Sequence, residues 1–138
     1  MYPDLEGKVA VVTGAGRHGG LGAGIARKLA EDGVRIILHD LGDPRDTTAP
    51  DQGIGQTAEL EEVAEELRAI HPDIATCPAD MRVESEVEAL IGSAVQRFGK
   101  LDILVNNAGV GFLFGPFVDQ TQDMWDMVLD VNLRGAFF

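Results

Sequence analysis

The apolar, β-branched run Lys8-Val9-Ala10-Val11-Val12 passes directly into Thr13-Gly14-Ala15-Gly16-Arg17-His18-Gly19-Gly20-Leu21-Gly22-Ala23-Gly24-Ile25-Ala26. That order predicts a strand, a glycine-rich turn and a helix. Glycines let the backbone turn tightly and approach a pyrophosphate, while the following helix N-terminus offers free N–H groups and a positive dipole end. Gly14, Gly16, Arg17, Gly20, Leu21 and Gly22 are therefore candidate cofactor-binding residues, and the segment predicts a dinucleotide site.

Strand and helix patterns alternate through the rest of the chain. Ile25 and Leu29 mark a helix face that Gly33 closes, and Arg35-Ile36-Ile37-Leu38 is a second strand. A loop rich in Gly, Pro, Asp and Thr runs from Gly42 to Gly55, followed by helical spacing at Leu60, Val63, Ala64, Leu67 and Ile70 up to Pro72. Ile74 to Cys77 is a third strand. Ser85 and Glu88 read as a capping box for a helix with Val87, Leu90, Ile91, Ala94, Val95 and Phe98 inward. Leu101 to Val105 is a fourth strand, apolar enough to be covered on both faces. Asp119 or Thr121 then caps a last helix that carries Met124, Val128, Val131 and Leu133. Such alternation with right-handed crossovers predicts a single α/β domain over residues 1–138, a doubly wound parallel sheet.

Charge narrows the partners. Eleven basic against 23 acidic residues give a net charge of −12, which repels nucleic acid and anionic membranes. A glycine loop still binds phosphate through local backbone dipoles. The single cysteine, Cys77, rules out an internal disulfide, fits a reducing, cytoplasmic compartment and is expected to be buried and inert. No stretch reaches the length of a membrane span, and no metal-ligating cluster is expected.

Asp40 stands at the end of the second strand with Leu41 beside it, where an acid hydrogen-bonds ribose hydroxyls; the bland alternative is a turn-capping Asp. A carboxylate there repels a 2′-phosphate and favours NAD over NADP by about 1–2 kcal/mol. Arg17 argues the other way, since a loop cation can pair with that phosphate. Asn132 interrupts an apolar helix face four residues after Val128, so its amide is either a clip to backbone groups or part of a site.

Thr13-Gly14, Gly20-Leu21-Gly22, Asp80-Met81, Asn106-Asn107-Ala108-Gly109 and Asn132 together resemble the short-chain dehydrogenase/reductase family over essentially the whole chain. The family's loop is Thr-Gly-x-x-x-Gly-x-Gly; here two extra residues fall at His18 and Gly19, and His18 is either a phosphate contact or a solvated loop side chain. The resemblance implies a Rossmann-type domain in which Asp80 accepts from the adenine amino group with Met81 beside it. Asn107, Ala108 and Gly109 would pass along the adenosine ribose, and Asn132 would hold a water of a catalytic proton relay. It also implies an oxidoreductase that interconverts an alcohol and a carbonyl on a small-molecule substrate.

The family's catalytic Ser and Tyr-x-x-x-Lys are not among these residues: the only tyrosine is Tyr2, with Glu6 four positions on. The chain is accordingly expected to be the N-terminal, cofactor-binding part of a longer enzyme and inactive alone. A non-catalytic dinucleotide-binding module and one half of a split enzyme are the competing readings. Phe112, Leu113, Phe114 and Phe117 either line a substrate pocket or pack on the core. Trp125 and the last helix suggest a homo-oligomer, a dimer or tetramer.

Overall fold

The computed structural model describes residues 2–43, 56–111 and 115–138. Most of the Gly42–Gly55 loop and Phe112, Leu113 and Phe114 lie outside the described residues. Four strands form one parallel sheet: β1 (Val9–Val12), β2 (Arg35–Leu38), β3 (Ile74–Thr76) and β4 (Ile103–Val105), in the order β3-β2-β1-β4. Helices α1 (Leu21–Glu31), α2 (Thr57–Arg68) and α3 (Glu84–Phe98) provide the crossovers. The predicted doubly wound α/β fold is thus the observed one.

Period-two alternation sorts the core into two layers. Ala10, Val12, Ile36, Leu38 and Ile74 face α1 and α2, against Ala26, Ala30, Leu60, Val63, Ala64 and Leu67. Val9, Val11, Ile37 and Ala75 face α3, against Val87, Leu90 and Ala94. Asp102 anchors the fourth strand: its carboxylate accepts the Val9 N–H at 2.9 Å, and Lys100 and Lys8 hold its pKa low. Asp43 and Thr57 exchange hydrogen bonds at 3.2 and 3.3 Å, so the two ends of the long loop meet at the α2 N-terminus.

Several expectations need correction. The α3 helix starts at Glu84 with Val83 at its N-cap, so Ser85 and Glu88 form no capping box. Instead, the Asp80 carbonyl accepts from Val83 N–H, and Glu86 reaches back to the Asp80 N–H at 2.8 Å. These bonds seed the helix a turn before the apparent cap. Val95 is 50% exposed, because Val87, Leu90 and Ala94 already fill the face turned to the sheet. Leu104 in β4 is 46% exposed, since that strand pairs with β1 on one side only among the described residues. Cys77 is half-buried rather than sealed.

Thr121, not Asp119, caps α4 (Gln122–Leu129) by accepting from Met124 N–H. The last helix is also broken in phase: Asp130–Arg134 forms a π turn before the short α5 (Gly135–Phe137). An extra residue in that turn rotates the end of the helix, which leaves Leu133 67% exposed and presses Gly135 against Met81. Among the described residues, no helix is long and apolar enough to cross a membrane.

Two leucines separate core from edge. Leu60→Ala, at a fully buried site, is expected to cost about 2–5 kcal/mol in urea unfolding. Leu104→Ala at the half-exposed edge should cost less than about 1 kcal/mol. Equal losses would contradict the layer assignment.

Candidate functional site

The C-terminal ends of all four strands open into one cavity of about 230 Å³. Its walls come from the glycine turn (Gly14, Arg17, Gly20, Leu21), the β2 end (His39, Asp40, Leu41), the β3 end (Ala79 to Arg82), the β4 end (Asn107 to Val110) and the last helix (Met127, Val131). It sits where the strand order reverses, between β1 and β4, the crevice in which open α/β sheets bind ligands.

A clasp between the β1 and β4 turns makes that crevice. The buried Thr13 hydroxyl donates to Val105 O at 3.1 Å and accepts from the N–H groups of Asn107 and Ala108, each at 3.0 Å. The Asn107 amide returns the contact, donating to Thr13 O and Gly14 O at 2.9 Å. Gly14 has φ +66°, and a Cβ on it would lie 2.7 Å from the Ala108 backbone, so only glycine allows the two turns to touch. A Cβ on Gly22 would lie 2.5 Å from Gly14 O.

Predicted residues divide by role. Gly14, Arg17, Gly20, Leu21, Asp40, Leu41, Asp80, Met81, Asn107, Ala108 and Gly109 all line the cavity. Gly16 and Gly22 do not line it: Gly22 packs α1 onto the turn, and Gly16 donates its N–H to Asp40 Oδ2 at 2.9 Å. The second Asp40 oxygen accepts from Leu41 N–H at 2.8 Å, so backbone donors aim this carboxylate. Asp80, 5% exposed, is gripped by Arg82, which donates from Nε at 3.0 Å and from a terminal nitrogen at 2.6 Å. The same guanidinium reaches Met127 Sδ at 3.5 Å.

Asn132 sits in the π turn and clips the β4 exit. Its Oδ1 accepts from Val110 N–H at 2.8 Å, and its Nδ2 donates to Val110 O at 2.9 Å. Of the two readings of that residue, the structure supplies the backbone clip.

His18 turns away from the cavity. Its N–H donates to Glu59 at 2.9 Å, and its ring lies between Glu62 at 3.1 Å and Glu66 at 3.4 Å. The hydrogen bond to Glu62, with the charges of Glu66 and Glu59, raises the imidazole pKa. The two extra loop residues therefore tie the glycine turn to the acidic face of α2, and the phosphate role considered for His18 does not fit this geometry. Sequence reasoning did not find His39, Ala79, Arg82, Val110, Met127 and Val131, which reach the cavity through tertiary placement. Arg82 and His39 did carry a signal, each lying within two residues of a singled-out acid.

Fold and cavity define a Rossmann-like nucleotide-site architecture. The family model for short chain dehydrogenase matches residues 8–138, and the chain belongs to that family. It is 37% identical over 134 residues to a versicolorin reductase from Emericella nidulans, covering 97% of this chain and 45% of the relative. Carveol dehydrogenase from Mycobacterium avium, solved in complex with NAD, superposes with a TM-score of 0.84 at 31% identity, covering 99% of this chain and 48% of its own. A short chain dehydrogenase from Mycobacterium paratuberculosis bound to NAD gives 0.85 at 30% identity, covering 96% and 48%. The chain spans about half the length of the curated relatives it matches.

The clasp and the tie give separate tests. Thr13→Val, which strands the Asn107 and Ala108 N–H groups, is expected to lose about 1–3 kcal/mol more in urea unfolding than Thr13→Ser. A smaller loss for valine than for serine would contradict the clasp. The His18 tie is complete below about pH 6.5 and weakens as pH rises through the raised folded-state pKa. In thermal melts the advantage of wild type over His18→Ala should therefore be larger at about pH 6 than at about pH 8.5. An equal advantage at both would contradict the tie.

Proposed function

We propose that the cavity binds a nicotinamide dinucleotide, NAD in preference to NADP, as the cofactor-binding half of an oxidoreductase that interconverts an alcohol and a carbonyl on a small-molecule substrate. One observation carries the reading: the Asp40 carboxylate, the α1 N-terminus and the Asn107-Ala108-Gly109 backbone converge on one cavity at the strand ends. The family membership and the NAD-bound state of the two structural neighbours support it.

The residues present fit the cofactor. Leu21, Gly22 and Ala23 open α1 with N–H groups that have no acceptor one turn back, and the adjoining glycine turn leaves room for a pyrophosphate. Asp40, with each oxygen already accepting one backbone N–H, keeps lone pairs for ribose hydroxyls and repels a 2′-phosphate. Asp80 and Met81 border the adenine end, with the Asp80 carboxylate shared with Arg82. When bound, the cofactor supplies or accepts hydride. Asn132 acts in this reading as a positioning residue that fixes the Val110 backbone beside the site, with the water-holding role assigned to it by family likeness.

Catalytic turnover is not expected from these 138 residues alone, whose only tyrosine, Tyr2, has Glu6 four positions on. A cytoplasmic location and a homo-oligomer complete the proposal. For the latter, Trp125, Leu129, Leu133 and Phe137 expose apolar surface on the last helical segments, and light scattering checks it.

Asp40 gives the sharpest test of cofactor choice. Calorimetric titration is expected to show NADH binding about tenfold tighter than NADPH, with Asp40→Ala removing most of that ratio. Tighter NADPH binding by wild type would overturn the preference.

A further inference from the structure

His39 is the buried polar side chain in the cavity wall that the proposed function leaves without a role. It lies at the β2 end, 1% exposed, between two other elements. Its Nδ1 stands 3.3 Å from the Gly14 N–H of the glycine turn. Its Nε2 stands 2.9 Å from the Ala79 carbonyl at the β3 end. A backbone N–H can only donate and a carbonyl can only accept, so these partners admit one state of the ring: neutral, with the proton on Nε2.

Resting on the reading of the cavity as a dinucleotide site, we propose that His39 is a positioning residue that holds the phosphate turn and the adenine-side wall in register only while its ring is neutral. Backbone bonds run along the same line: Ala15 N–H donates to His39 O at 2.8 Å, and Ala79 N–H donates to Asp40 O at 3.1 Å. The ring thus spans β1, β2 and β3 where their ladders end. Adding a proton at Nδ1 would set two donors against each other at Gly14, the residue whose φ of +66° makes the turn. The turn would then lose an anchor on its approach to Asn107 and Ala108.

The charged groups around the ring are Asp40 on its own strand end, Asp80 with its partner Arg82 after β3, and Arg17 on the glycine turn. Asp40 and Asp80 favour the imidazolium, but burial outweighs them and lowers the pKa from its ordinary value. The unfolded chain therefore takes up this proton first. Stability from the neutral ring is complete above about pH 6.5 and is lost as pH falls below that toward the folded-state value. His18 titrates with the opposite sign, so the two histidines are separable.

The test uses the ¹⁵N-labelled chain, its two most informative variants and NADH as probe. Ring ¹H–¹⁵N correlations of the free protein are expected to show the Nε2–H form, with a protected Gly14 amide whose protection factor, corrected for the intrinsic pH dependence of exchange, falls as the ring takes up its proton. His39→Asn keeps an acceptor toward Gly14 and His39→Gln keeps a donor toward Ala79; neither titrates. Asn should preserve Gly14 protection and Gln should lose it. NADH affinity in wild type should stay flat from about pH 7.5 to about pH 6.5 and fall at least about threefold as pH drops through the lowered folded-state pKa of the ring, and in both variants this dependence should shrink. The Nδ1–H form, equal Gly14 exchange in all three proteins, or an unchanged pH profile in the variants would overturn the assignment. Absence of NADH binding by wild type would defeat the dinucleotide reading instead, leaving ring state and Gly14 exchange to decide the role of His39.

Discussion

The Thr13–Asn107 clasp is the contact on which the site depends. Two strand ends more than 90 residues apart in the chain must approach closely enough for a hydroxyl to accept two backbone N–H groups at 3.0 Å. Glycine at position 14 removes the Cβ that would forbid that approach, and the Asn107 amide seals the two carbonyls that the turn exposes. Without the clasp the sheet could still form through β1, β2 and β3, but its ends would not share one cavity.

From that point the other walls are set by strand register. Val12 pairs with Leu38 and Val105, and Leu38 pairs with Thr76, so the residues after each strand emerge at one level. Asp40 arrives with its oxygens aimed by Gly16 and Leu41, and Asp80 arrives with Arg82 bound to it. Two ties hold the glycine turn from opposite sides: His39 from within the cavity and His18 from the acidic face of α2. One histidine is suited to being neutral and the other to being charged, because of burial in one case and acidic neighbours in the other.

The backbone-dominated parts of the site were legible in the sequence. Glycine spacing after a β-branched run marks a turn because the conformation itself demands glycine, and Asp40 and Asn107 stand at strand ends where period-two patterning stops. The illegible parts depend on side chains meeting across elements. Arg82 stands two residues from Asp80, but nothing local indicates that it also reaches Met127, and nothing local to His18 places it against Glu62. Helix phase was equally hidden: the π turn at Asp130–Arg134 rotates Leu133 out of the face that spacing assigns to it. The Ser85–Glu88 pattern failed for a related reason, since Asp80 and Glu86 had already started the helix.

The central claim is that a phosphate-bearing cofactor seats on the α1 N-terminus beside the clasp. Amide hydrogen exchange with and without NADH tests it most directly. The account predicts added protection at Leu21, Gly22 and Ala23 and across Asn107 to Gly109, with α3 unaffected. Saturating NADH that leaves exchange at both segments unchanged would contradict it.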